Sequence, residues 1–394
     1  MSYRGFTFRV KPNALQEEAF LQFSGVCRLV WNLALEQRRE HWRNYQARTG
    51  DNLNYVAQAR ELTNLRREVD FVRAVSQTSQ QYVLKALDEA YRRFFKGLGG
   101  SPPPKKKGVT DAFTFNGREI TVERLNNRWG RVRLPKIGWV KFHMTRDLSG
   151  KVTEATVSLT PLGWQISIGC KDCDTHAFAV DGAVGIDRGV SVPLMLSDGT
   201  AYMLPERLDV IERRTRKAQR VLSRRKRGSK RYTAARKRVA TLKAKAARIR
   251  KHWAHETTTE ICRQFGTAVI ERLRTKNMTA SAVGTVEEPG SNVAQKRGLN
   301  RAILNVGWHQ IETMLFYKAH RVVKVDPRFT SQRCSCCGAV DSRSRKNQAS
   351  FVCTTCGFRA NADQNAAINI LHRGNTPVVE PQVTVASKRE LHPV

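Results

Sequence analysis

No stretch of this chain approaches the ~18 consecutive apolar residues of a membrane-spanning helix, and Met1–Val10 lacks the apolar core of a secretion signal. A membrane span and an exported product are therefore not expected, and the reading places the protein in the cytoplasm. Acidic side chains are scarce. The 34 Asp+Glu face 69 Lys+Arg, a net charge of +35, and a surplus that large opposes compaction by self-repulsion unless a polyanion neutralises it. Nucleic acid is the expected polyanion, with an anionic membrane surface as the alternative. A disulfide framework is excluded by the cysteines, which are nine in number and concentrated in CxxC pairs, a pattern that points to metal binding in a reducing compartment. The nine His form no HxxxH or HExxH pair, so no catalysis is assigned to them. Disorder is excluded by 40% hydrophobic content over 394 residues, enough for two or three domains with real cores.

What is present divides the chain by pattern. Ala14 to Tyr45 carries apolar residues at Phe20, Phe23, Leu29, Val30 and Leu33. Ser79 to Phe95 repeats the spacing with Val83, Leu84, Leu87, Tyr91, Phe94 and Phe95. Both read as amphipathic helices. "GLGGSPPPKKKG" (Gly97–Gly108) reads as a basic linker. Short alternating segments follow, "AFTF", "EITVER", "RVRL", "WVKFHM", "EATVSL" and "WQISIG", at intervals typical of a small β-barrel. From Ala179 the regime changes to an apolar strand ending in Asp187, a turn and a second strand. Residues Arg207 to His252 then hold 20 Lys+Arg and 2 acidic residues, long helices whose cationic faces suit a polyanion better than plain solvation. "GTAVIERL" is a strand ending at Glu271, Leu299–Ala319 a further amphipathic helix and "RVVKVD" another strand.

Three carboxylates stand out. Asp187 and Glu271 each end a buried-looking strand, and Asp363 opens the apolar helix "QNAAINIL". Singly, each has a bland reading as a turn former or helix cap. In this order they match the way an RNase H-like fold gathers three carboxylates around two divalent ions, Mg2+ by the hardness of its donors, for phosphodiester hydrolysis. Cys334-x2-Cys337, fifteen residues and Cys353-x2-Cys356 match a four-cysteine zinc ribbon, with Gly338 and Gly357 turning each knuckle. The x2 spacing favours Cys337 over Cys336 as ligand. Cys170 and Cys173 form a further CxxC without a partner pair, read as packing or a turn, with a metal or redox role as the other reading. Cys27 and Cys262 read as core.

Together "GIDRGV", "AVIERLRTKNM", "VDPRFTSQRCSCCG", "FVCTTCGFRANADQNAAINIL" and "FRVKPNALQEEAFLQFSGVCRLVWNLAL" resemble the TnpB (OrfB) family of IS200/IS605 and IS607 transposons, from about residue 5 to 372. The resemblance implies a multidomain α+β protein. Its parts would be a first wedge strand (1–10), a helical recognition domain (11–104), a β-barrel wedge (105–178), an RNase H-like RuvC nuclease domain (179–330 and 360–372), an inserted zinc ribbon (331–359) and a disordered tail (373–394). It further implies a transposon-encoded guide RNA, double-stranded target DNA cut beside a short adjacent motif, two Mg2+ on Asp187, Glu271 and Asp363, and structural Zn2+ on Cys334, Cys337, Cys353 and Cys356. Gln77 and Gln81 fall on the helix that contacts the adjacent motif in the family, and a Gln can bridge adenine N6 and N7 in the major groove. Two departures are visible: Asn361 stands where relatives often carry Asp, and the stretch between Tyr317 and Val322 is short. Other readings are a nuclease-dead RNA-guided repressor, an unguided transposition accessory protein reading DNA through a helix-turn-helix, and a DDE-type transposase.

Overall fold

In a computed structural model of the chain, Asn13 opens the first long helix with a reciprocal cap. Its Oδ1 accepts from the Gln16 N–H at 2.8 Å, and Gln16 Oε1 accepts from the Asn13 N–H at 3.1 Å. The structure describes residues 3–46, 50, 53–109, 111–173, 178, 180–285, 287–347 and 349–375. They fall into two compact units, Met1–Thr175 and His176–Val394. Most of the tail expected at 373–394 lies outside the described residues.

The first unit begins with β1 (Tyr3–Lys11) and the helices α1 (Ala14–His41), α2 (Tyr55–Glu68), α3 (Asp70–Arg73) and α4 (Gln77–Phe95). At the inner face of α1 lie Phe20, Phe23, Cys27, Val30, Trp31 and Ala34, whereas Leu29 and Leu33, expected on that face, are exposed. Helix α4 buries Val83, Leu84 and Leu87, but leaves Phe94 and Phe95 on the surface, where Trp42 stacks on Phe95. The sequence reading misses α2 because it buries little beyond Gln58 and Leu62, which gives no apolar period to detect.

The segment read as a basic linker is strapped along α1. Trp31 Nε1 donates to the Pro103 carbonyl at 3.1 Å, and Asn32 bonds both the N–H and the carbonyl of Lys105. The Lys105 ammonium sits 4.0 Å over the Trp31 ring.

Six further strands, β2 (Ala112–Asn116), β3 (Thr121–Arg124), β4 (Trp129–Leu134), β5 (Gly138–His143), β6 (Lys151–Thr160) and β7 (Gly163–Lys171), join β1 in one antiparallel sheet of order β2-β6-β7-β1-β5-β4-β3. β1 serves two partners: Tyr3–Arg9 pair with β7 and Val10–Lys11 with β5. Strand alternation turns Phe113, Phe115, Val132, Phe142, Ile166 and Ile168 inward. Helix α1 is fastened to this face where Phe20 meets Phe113 and Trp164 edge-on, at centroid distances of 5.5 and 5.0 Å.

The second unit is built on a five-stranded sheet of order β10-β9-β8-β11-β12, comprising β8 (Ala183–Asp187), β9 (Leu194–Leu196), β10 (Ala201–Tyr202), β11 (Thr267–Glu271) and β12 (Arg321–Val325). β9 and β10 run antiparallel; β8, β11 and β12 are parallel. Between β10 and β11 run two long basic helices, α5 (Glu206–Ser223) and α6 (Lys230–Gln264), followed after β11 by α7 (Thr275–Met278), α8 (Val293–Val306) and α9 (Trp308–Lys318). The single helix expected over Leu299–Ala319 is two helices, broken at Gly307, whose φ of 76° lies in the left-handed region. The strands β13 (Ser350–Val352) and β14 (Arg359–Asn361) lead directly into α10 (Ala362–Asn375).

Gly185 sets how closely α10 approaches the sheet. A Cβ there would lie 2.0 Å from the Ala367 carbonyl oxygen and 2.7 Å from the Leu371 nitrogen, both backbone atoms that cannot move aside singly. Gly185→Ala is therefore expected to destabilise the protein by about 1–3 kcal/mol through overpacking, read from chemical denaturation. A midpoint equal to that of the parent would contradict this account of the helix–sheet contact.

Candidate nuclease and zinc sites

β8 and β11 pair in parallel as far as Ile186 and Ile270, so their next residues, Asp187 and Glu271, emerge at the same end of the sheet. Asp363 comes from a third element, in the first turn of α10. The bland reading of Asp363 as a helix cap is not what the structure contains: Asn361 Oδ1 accepts from the N–H groups of Asp363 and Gln364, at 2.9 and 3.2 Å. An Asn caps as well as an Asp, and the Asp363 carboxylate is left to other partners. One is Arg345, whose Nη2 lies 3.0 Å from Asp363 Oδ1.

Asp187 feels the other two carboxylates. Burial, then the charges of Glu271 and Asp363, push the Asp187 carboxyl up to about 7, against the opposing pull of Arg345 and the Arg188 N–H. Glu271 is raised by burial and held back by a hydrogen bond from Thr330 Oγ1 to its Oε1 at 2.6 Å, then by Arg188 and Arg373. A divalent cation drawn in by these hard oxygen donors would relieve the charge on Asp187, and the donor chemistry suits Mg2+.

Among the described residues, the possible metal ligands whose donor atoms all lie within 4.8 Å of one another are Cys334, Cys337, Cys353 and Cys356; the three carboxylates are more widely spaced. The sulfur pairs Cys334–Cys356 and Cys337–Cys353 are 3.8 and 3.6 Å apart, against the ~3.8 Å edge of a tetrahedron with Zn–S bonds of about 2.3 Å. Gly338 and Gly357 turn the two knuckles at φ of 79° and 72°. The N–H of Cys356 and then of Thr355 hold the Cys353 thiol down to about 6, against the effect of burial, which favours the thiolate a metal needs. Cys336 is exposed and outside the cluster. Cys27 and Cys262 are buried, and burial pushes the Cys27 thiol up to about 12. Cys170 and Cys173 are buried too, the Cys173 thiol donating to the Ser149 carbonyl at 3.1 Å.

Gln77 and Gln81 lie on the first turns of α4, in the other unit, Gln77 exposed and Gln81 half-buried. Their buried neighbour Gln80 is occupied structurally, by Arg66 and the Val72 carbonyl. The sequence reading did not single out Arg188, Thr330 or Arg345. Arg188 sits beside Asp187 and could have been suspected, but nothing in "SRSRKNQ" separates Arg345, on Asp363, from Arg343, which pairs with Asp341 instead.

Three family models match the chain: the OrfB (IS605) family, described as a probable transposase, over residues 175–282; a Cas12f1-like TNB domain over 308–370; and a helix-turn-helix domain over 1–47. Within that last range the described residues form a strand, one long helix and a closing turn of π-helix (Trp42–Gln46). InsQ of Escherichia coli (strain K12), named as an RNA-guided DNA endonuclease, is 34% identical over 94% of this chain and 92% of its own length. A protein of Streptomyces pristinaespiralis with the same description is 30% identical over 94% of this chain and 89% of its own. Among solved structures, Cas12f1 in complex with sgRNA and target DNA shares the fold, at a TM-score of 0.53 and 16% identity over 90% of this chain and 82% of its own.

Two outcomes are expected. Purified protein should carry one zinc per chain by elemental analysis; Cys336→Ser should retain it and Cys353→Ser should lose it. Asp187 binds a proton more tightly in the folded chain than in the unfolded one, so without divalent metal its contribution to stability falls as pH rises from the ordinary carboxylate range through about 7. In chelator at pH 8, Asp187→Asn should melt above the parent, and the gap should close towards pH 4. A variant that melts below the parent at pH 8 would contradict the crowding.

Proposed function

The chain belongs to the OrfB (TnpB) family of IS605-type transposons, and on that premise we propose that it is an RNA-guided DNA endonuclease, cutting target DNA beside a short transposon-adjacent motif with Asp187, Glu271 and Asp363 as metal ligands. The observation that carries the reading is the convergence of three carboxylates from β8, β11 and α10. In this reading the five-stranded sheet is the RuvC domain of RNase H-like fold; its strand order, with two parallel strands added beside an antiparallel trio, supports the assignment. The cysteine cluster, inserted between β12 and α10, is the zinc ribbon, and the seven-stranded sheet is the wedge barrel. A guide RNA from the transposon end neutralises the cationic helices α5 and α6, base pairing reads the target, and the protein reads the adjacent motif, with Gln77 and Gln81 as candidate readers.

When bound, two Mg2+ would supply activation of the attacking water and stabilisation of the leaving 3′ oxygen. The chain's own residues do the rest. Asp187 and Glu271 emerge side by side because their strands are in parallel register. Asp363 is free to face them because Asn361 caps the helix. Thr330 orients one Glu271 oxygen. Arg345 brings a cation to the same place, where the negative charge of a scissile phosphate would lie. An unguided helix-turn-helix reader draws no support from the single helix of residues 3–46.

The test is to express the protein with its native flanking DNA, purify it at high salt and sequence the RNA that accompanies it. The expected result is one discrete species, with a constant structured part and a variable end drawn from the element boundary, that directs Mg2+-dependent cleavage of matching DNA. Asp187→Ala, Glu271→Ala and Asp363→Ala should each hold that RNA and lose cleavage by more than the ~10–100-fold typical when only an outer partner of a metal ligand is removed. A random sample of cellular transcripts, or cleavage that survives these substitutions, would sink the reading.

A further inference from the structure

The backbone ladder between β8 and β11 stops at Ile186 and Ile270, one residue short of Asp187 and Glu271. A side chain takes over where it stops. Arg188, 4% exposed, follows Asp187 directly, and its Nη2 donates to the Glu271 main-chain carbonyl. The guanidinium thus ties the residue after one carboxylate to the backbone of the other without spending either carboxylate. Its second arm, Nη1, is held by Glu312 Oε2 at 3.0 Å, and its Nε has no hydrogen-bond partner among the described residues. Glu312 stands on α9 and uses its other oxygen on Lys324 of β12. Lys324 is itself paired across the sheet with Ile270 of β11. A buried guanidinium whose Nε–H is unpaired depends on its remaining partners.

We propose that Glu312 is a positioning residue for the carboxylate centre: through Arg188 it fixes the spacing of Asp187 and Glu271, and so the affinity of that centre for divalent metal. This rests on the nuclease reading above and adds to it a residue that touches neither metal nor substrate. The arrangement matches the way outer partners hold first ligands in place, whose loss typically weakens metal binding by about 10–100-fold. Lys324 provides an internal control, because it shares Glu312 without touching Arg188. An ion pair that serves only stability would make the two residues equivalent. A positioning role makes them different.

The test is calorimetric titration of the RNA-free full-length chain with Mn2+, taking the binding that Asp187→Ala abolishes as the signal, with melting temperature recorded for each variant. Glu312→Gln should bind Mn2+ about 10–100-fold more weakly, and Lys324→Met should stay within about threefold of the parent even if the two melt alike. Should Glu312→Ala fail to fold, Glu312→Gln, which keeps the side chain's shape and one acceptor, decides the matter. Equal Mn2+ affinity in Glu312→Gln and the parent would overturn the positioning role alone. A parent chain without Asp187-dependent Mn2+ binding would overturn the nuclease reading, and the inference with it.

Discussion

Like charges brought to one end of the parallel strands β8 and β11 are the constraint around which the second unit is organised. Glu271 and Asp363 disfavour the ionised form of Asp187, and the folded chain contains devices that keep the three together nonetheless. Parallel register brings two of them to one edge. Close approach of α10 at Gly185 brings the third. Cations are placed so that they steady the carboxylates while leaving oxygens available: Arg188 bonds a main-chain carbonyl, and Arg345 contacts one oxygen of Asp363. A chain selected only for stability would replace such a cluster with apolar side chains. Under the proposed nuclease reading, divalent metal would release that repulsion.

The four-cysteine segment is connected to the same end. Asn365 donates to the Arg333 carbonyl and accepts from the Ser335 N–H, and Asn369 donates to the carbonyls of Thr330 and Arg333. Two buried asparagines of α10 therefore grip the segment that enters the first knuckle. Thr330, held in this way, is the residue that orients Glu271. A segment distant in sequence from Glu271 is thus linked to it by a short run of hydrogen bonds, and the four-cysteine cluster closes the loop that carries them.

Much of this was legible in the sequence because it depends on short-range pattern. The apolar strands ending at Asp187 and Glu271, the cysteine spacing and the turn glycines are local signals. Less legible were features set by tertiary contact. Leu29 and Leu33 carry the right side chains for a core and face solvent, since the inner face of α1 is selected by Phe20 and Phe23 against Phe113 and Trp164. Gly307 splits a helix whose apolar period runs on through it. The lysine and proline segment at 102–105 reads in sequence as part of a basic linker because its anchors are backbone carbonyls and an aromatic face, which composition does not register. Arg188 and Glu312 are 124 residues apart, and no local pattern could join them.

The central claim is that the three carboxylates form one centre for two divalent ions. Crystals of the RNA-bound protein soaked in Mn2+, with data collected at the manganese absorption edge, test it most directly. The account predicts two anomalous peaks about 4 Å apart, bounded by Asp187, Glu271 and Asp363 and distinct from a zinc peak inside the cysteine cluster. Manganese elsewhere on the surface, with no peak among these three residues, would contradict it.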